Sequence, residues 1–195
     1  MKHKEYFNSI AEKWDDMVEH NKQKLNILFK HINIEKGESV LDVGTGTGVL
    51  IPYIHNFVGN NGEIYAIDLS EKMIEIAKKK YDFKNVKYFQ GDVNKLNMEN
   101  DFNSILCYSV FPHFPKKEDT INNLAKGLKR NGKLVIFHSQ SREKINSIHK
   151  NIGGTVANDL LPPVDEIANM MMRAGLDVEK QIDNSDMFFI KGIKR

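Results

Sequence analysis

A chain of 195 residues, 41% hydrophobic and 28% charged, fits one domain with a full-sized core, expected to span residues 1–195. A formal net charge of +2, with basic runs as short as Lys78-Lys79-Lys80, gives no strong nucleic-acid signal. The single cysteine, Cys107, excludes an internal disulfide. The polar start Lys2-His3-Lys4-Glu5 offers no signal core, and no stretch approaches the ~18 apolar residues of a membrane span, so a cytoplasmic monomer or homodimer is expected.

Along the chain, Phe7, Ile10, Trp14, Met17 and Val18 recur at helical spacing within Tyr6 to Glu19, and Leu25, Ile27, Leu28, Phe29 and Ile32 mark a second helix. Ser39 to Val43 is a short apolar strand running straight into Gly44-Thr45-Gly46-Thr47-Gly48. Val49 to Val58 reads as a helix, with Pro52 in the first turn, where a missing N–H costs little. Glu63 to Ile67 is a strand ending at Asp68, and Ser70 is placed to cap the helix Glu71 to Tyr81. Val86 to Phe89 ends in Gln90-Gly91-Asp92, and Asn103 to Tyr108 is almost wholly apolar, as a strand buried on both faces is.

Lys116 to Lys129 follows as a helix stopped by Asn131-Gly132, then the strand Lys133 to His138. Residues Ser139 to Val164 form a long connection holding one short amphipathic piece with Ile145, Ile148 and Ile152. A connection of this length in a compact domain serves as a lid or binding loop. A helix from Asp165 to Ala174 precedes two closing strands, Asp177 to Ile182 and Met187 to Ile193, spaced as an antiparallel pair. The alternation predicts an α/β, three-layer sandwich: a seven-stranded, mostly parallel sheet with an antiparallel C-terminal pair and helices on both faces.

Glycine lets the backbone turn tightly and a ligand approach the main chain, and the helix that follows aims free N–H groups at an anion. Dinucleotide folds use Gly-x-Gly-x-x-Gly; here the third glycine is Gly48 and Val49 takes the later place. Asp68 ends the next strand, where a carboxylate can accept from ribose hydroxyls. Asp92 ends the third, where it can accept from an exocyclic amine. Three acids, Asp42, Asp68 and Asp92, thus fall along the carboxyl edge of the sheet, where open α/β folds bind ligands.

These segments resemble a class I S-adenosylmethionine (SAM)-dependent methyltransferase of the small-molecule type. Asp42 to Gly48 resembles the family's first motif, Tyr65-Ala66-Ile67-Asp68-Leu69-Ser70-x-x-Met73 its second, and Gly91-Asp92-Val93 its third. Phe102 to Phe114 resembles the fourth-strand motif, with His113 in place and Asn103 departing from the family's aspartate. The resemblance implies a Rossmann-like fold and SAM, converted to S-adenosylhomocysteine, held by Asp42, Gly44, Thr45, Gly46, Gly48, Asp68, Leu69, Met73, Asp92, Val93 and Tyr108. It further implies that residues 1–35 form a helical lid bringing Tyr6 and Trp14 over the cofactor, and that residues 139–164 form the acceptor side.

A methyl group on a sulfonium is transferred by direct displacement, so alignment matters more than a protein nucleophile. His113 and His138 are the candidates to act as base or to orient the acceptor. Cys107 reads as core, and the seven histidines show no local metal-ligand spacing, so no metal is expected. Arg142 reads either as an acceptor-anion ligand or as a surface charge. A Rossmann-type NAD(P)-dependent reductase and a non-catalytic SAM-binding regulator stand as alternatives. The acceptor atom is open, because fold does not choose it.

Overall fold

The computed structural model describes residues 2–195. In chain order, helix α1 (Lys2–Ile10) passes through a 3-10 turn at Ala11–Lys13 into the single-turn α2 (Trp14–Met17), and α3 (Lys22–Ile32) follows. Then come β1 (Ser39–Val43), α4 (Ile51–Val58), β2 (Glu63–Asp68), α5 (Glu71–Lys80), β3 (Val86–Gln90), β4 (Phe102–Tyr108) and α6 (Lys117–Gly127). The chain closes with β5 (Leu128–His138), α7 (Arg142–Ile152), α8 (Val164–Arg173), β6 (Leu176–Asp183) and β7 (Phe188–Lys194).

The seven strands form one sheet in the order β3-β2-β1-β4-β5-β7-β6. The first five pair in parallel, and β7 runs antiparallel to both β5 and β6. Strand alternation sends successive side chains to opposite faces. Leu41, Val43, Ile105 and Ile136 join Ile121 and Leu124 of α6 and Ile167 and Met171 of α8 on one side. Val40, Ile64, Leu106 and Val135 join Leu25, Leu28 and Phe29 of α3 and Ile54 and Val58 of α4 on the other. The central strands β1 and β4 are almost entirely buried, whereas the edge strands β3 and β6 each carry an exposed side, polar on β6 and including Phe89 on β3. The expected seven-stranded sandwich with its antiparallel closing pair is what the chain forms.

Four local expectations change. The helix expected over Tyr6 to Glu19 is broken: α1 ends at Ile10 and α2 lasts one turn before Val18 turns extended. No residue of α1 is buried, so its apolar spacing serves the surface it covers and not the core. The helix after the glycine loop starts at Ile51, because Gly48 still hydrogen-bonds back to Thr45 as a turn.

The expected stop at Asn131-Gly132 lies inside a strand. Helix α6 ends at Gly127, and Leu128, already paired with Phe102 and fully buried, begins β5. The register slips between Phe102 and Ser104, and the chain bends at Asn131, whose φ is 62°. Finally, much of the long connection is a regular helix, α7, whose first turn is capped by Ser141 accepting from the Lys144 N–H.

Candidate functional site: a cavity at the carboxyl edge of the sheet

Strands β1 and β2 end side by side, and the glycine loop crosses between them. The N–H groups of Gly44 and Thr45 both donate to the Ile67 carbonyl, at 2.8 and 3.0 Å. Gly44, Gly46 and Gly48 all have positive φ, at 67°, 55° and 90°. A Cβ on Gly44 would meet Val110 Cγ2 at 2.3 Å, so both backbone conformation and space demand glycine there.

The Gly46 N–H donates to Asp68 Oδ2 (2.9 Å) and the Ser70 N–H to Asp68 Oδ1 (2.8 Å). Burial raises the Asp68 carboxyl above its usual range, and those N–H donors pull it part of the way back. Asp42 lies one layer deeper. It is 1% exposed, accepts from Thr45 Oγ1 at 2.6 Å, and burial pushes it up to about 7, against the Thr45 hydroxyl and with a contribution from the charge on Asp68. Asp92 caps the turn after β3 through the Asn94 N–H at 3.0 Å.

These strand ends open into a cavity of about 600 Å3, within the roughly 300–1,000 Å3 of small-molecule sites. Its wall takes in Gly44, Gly46, Asp68, Leu69, Met73, Asp92 and Val93, together with Trp14 and His113. Asp42, Thr45, Gly48, Tyr108, Tyr6 and His138 lie outside that wall. Thr45 and Asp42 support the loop from beneath. Tyr6 packs edge-on against Phe7, and the Tyr108 hydroxyl bonds Ser139 (2.8 Å) and His20 (3.1 Å). His138 is 2% exposed, its Nε2 finds no partner among the described residues, and burial pushes it down to about 3.

The amino-terminal segment covers the cavity through polar contacts. Lys4 pairs with Glu71 at 2.9 Å, and Asn8 Oδ1 accepts from Ser70 Oγ at 2.5 Å. Asp15 accepts from Thr47 Oγ1 at 2.6 Å and from Lys80 at 2.8 Å. Trp14 Nε1 comes within 3.8 Å of where a Cβ on Gly46 would stand. Phe7 packs edge-on between Trp14 and His113, with ring centres 5.9 and 5.1 Å away.

At the far end, histidines scattered along the chain converge. Asp159 Oδ2 lies 2.7 Å from His113 Nδ1 and 2.8 Å from His3 Nε2, while its main-chain carbonyl meets His149 Nδ1 at 2.5 Å. Burial holds the His113 imidazole below its usual range, only partly offset by Asp159. Burial works to raise Asp159, but the two imidazoles outweigh it and the carboxyl sits below the ordinary value. His3 and Asp159 escape a reading based on spacing because they lie 156 residues apart; the only signal was that Asp159 belongs to the long connection. Arg142 is tied to Asp183 (2.8 Å) and Glu143 (3.0 Å) and so reads as a structural charge. Cys107 is fully buried, as expected, and burial raises its thiol.

Comparison with known proteins agrees with this geometry. Residues 34–175 match the family model described as methyltransferase domain. The chain is 30% identical over 143 residues to the ubiquinone/menaquinone biosynthesis C-methyltransferase UbiE of Azotobacter vinelandii, covering 68% of this chain and 56% of that protein. It is 26% identical over 204 residues to the Citrobacter koseri protein of the same name, covering 88% of this chain and 81% of the other. The aligned part thus spans little more than half of the first relative. A SAM-dependent methyltransferase from Aquifex aeolicus shares the fold at a TM-score of 0.76 and 22% identity, over 95% of this chain and 98% of that one. Among the described residues no helix is long and apolar enough to cross a membrane. Family membership displaces the reductase alternative that the glycine loop had left open: the chain belongs to the methyltransferase-domain family.

Proposed function

We propose that this protein transfers the SAM methyl group to a small-molecule acceptor bound at the histidine-lined end of the cavity. The observation that carries the reading is the division of one cavity into two chemically different ends. Gly44 and Gly46 let a ligand come close to the main chain, and Asp68 and Asp92 supply carboxylates suited to a ribose and an adenine amine. His3, Phe7, His113 and Phe114 supply an aromatic and imidazole wall suited to a compact acceptor.

In this reading the SAM sulfonium lies between the two ends. SAM supplies an activated methyl group, and the chain's residues align the acceptor opposite the departing sulfur and exclude water. Residues 1–35 act as a lid through Phe7 and Trp14. Residues 139–164 form the acceptor side through Asp159, which fixes His113 so that this imidazole orients the acceptor. His138 supports that wall from within the core. The relatives are named as C-methyltransferases of ubiquinone and menaquinone biosynthesis, and an aromatic carbon acceptor fits the Phe7, Trp14 and Phe114 lining.

Calorimetry with SAM, S-adenosylhomocysteine and NAD tests the cofactor end: the first two bind and NAD does not. Transfer of labelled methyl from SAM into a small-molecule metabolite fraction tests the activity. Tight SAM binding with no transfer to small molecules or to protein would favour a non-catalytic SAM-binding regulator.

A further inference from the structure

We propose that His3, His113 and Asp159 form a binding site for a divalent transition-metal ion at the acceptor end of the cavity. The three side chains come from the lid helix α1, the turn after β4 and the connection after α7. Their ligating atoms all lie within 4.8 Å of one another, and each is half-buried. His113 Nδ1 and His3 Nε2 stand 2.7 and 2.8 Å from the same carboxylate oxygen. Ligands held ~2.1 Å from a tetrahedral ion are roughly 3.4 Å apart, so each nitrogen needs to draw back from that carboxylate oxygen by roughly 0.6–0.7 Å. Each imidazole would bind through the nitrogen that now faces Asp159, its proton moving to the other ring nitrogen.

The donor set selects the class of ion. Two imidazoles and one carboxylate suit zinc, cobalt, nickel or ferrous iron better than magnesium or calcium, which prefer oxygen. Two further features support a built site. The Asp159 carbonyl is fixed by His149 Nδ1 at 2.5 Å, the kind of outer contact that orients metal ligands. His138, near enough for charges on His113 and His149 to act on it, is buried with an unpartnered Nε2, which calls for an explanation.

Three protein ligands leave a coordination position open, and His3 and His113 line the cavity. An acceptor heteroatom taking that position would be held beside the methyl group and would lose its proton more readily. That consequence rests on the methyl-transfer reading of the cavity; the metal site itself does not.

The test uses the tag-free chain, stripped with chelator and titrated with Zn2+ by calorimetry and with Co2+ by visible absorption. One saturable equivalent is expected, with a Co2+ spectrum of low-symmetry nitrogen and oxygen ligation. His3→Ala, His113→Ala and Asp159→Asn should each weaken binding at least ~10-fold, while His55→Ala, on α4 and remote from the cluster, leaves it unchanged. His3 lies on a helix with no buried residue, so its substitution does not put the fold at risk. Absence of saturable uptake, or uptake unchanged in both His3→Ala and His113→Ala, overturns the proposal and leaves a hydrogen-bonded Asp–His cluster. SAM titrated into the same samples separates the two readings: intact SAM binding without metal uptake removes the metal alone, whereas lost SAM binding in the unsubstituted chain removes the cavity assignment.

Discussion

The two ends of the cavity are built in opposite ways. The proposed cofactor end comes from three strand ends and the loops that leave them, with Gly44, Asp68 and Asp92 each set by its own short stretch of chain. The proposed acceptor end comes from side chains 46 and 156 residues apart meeting on one carboxylate. The first uses backbone conformation, which tolerates little change of residue type. The second uses side-chain chemistry, which can be altered while the sheet stands. One scaffold can therefore keep its methyl donor fixed and vary what it methylates.

The largest effect expected from this contrast is at Gly44. Gly44→Ala places a Cβ 2.3 Å from Val110 Cγ2 at a φ of 67°, so both overpacking and a left-handed backbone weigh on the fold, at about 2–4 kcal/mol together. A melting temperature lower by roughly 5–15 °C and loss of measurable SAM binding should follow. Adding Val110→Ala should restore the overpacking part and leave the backbone part. No recovery would mean that the loop is intolerant for some reason other than this contact.

Asp68→Ala comes next. Hydrogen bonds to a charged group contribute about 1.5–3 kcal/mol, so SAM affinity by calorimetry should fall roughly 10- to 150-fold. His113→Ala should leave SAM affinity within about threefold and lower methyl transfer instead. Equal losses of SAM affinity in the two variants would erase the division of the cavity.

A smaller effect separates support from contact. Asp42, pushed up to about 7 by burial, binds its proton more tightly folded than unfolded. It therefore costs no stability below an ordinary carboxyl pKa and progressively more as pH rises toward 7. Asp42→Asn, which mimics the protonated form, should gain melting temperature relative to the unsubstituted chain as pH is raised from 5 to 8, by roughly 5–10 °C. A constant difference across that range would mean that Asp42 does not titrate there. The smallest effect is expected at Asp15→Ala in the lid. Its contacts to Thr47 and Lys80 are partly exposed, so SAM affinity should change less than about fivefold.

The same contrast explains what the sequence made readable. Parallel strands leave near-continuous apolar runs, and strand-end glycines and acids sit at fixed offsets from them, so the sheet and the Gly44, Asp68 and Asp92 positions were legible. Asp42 and Tyr108 were legible as strand-end residues, but their depth was not: each side chain turns into the core, where only three-dimensional packing decides its neighbours. The broken lid helix was missed because Trp14 and Phe7 keep helical spacing across a 3-10 turn. Strand β5 was set two ways, and the pairing of Leu128 with Phe102 overrode the local turn signal of Asn131-Gly132. The histidine cluster left no periodic trace at all, since its members are brought together only by tertiary structure.

The covering segment is held down in a way that has its own consequence. Helix α1 buries no residue and is fastened by Lys4 to Glu71 and by Asn8 to Ser70, with Asp15 and Lys80 fastening the turn beyond it. Apolar packing, which ionic strength barely touches, is confined there to partly buried rings such as Phe7, whereas exposed ion pairs weaken as salt is added. Local unfolding of the first helix should therefore cost far less than global unfolding, and its amide protons should exchange first. On the proposed reading of residues 1–35 as a lid, the ions in the surrounding medium then help to set how often the cavity opens.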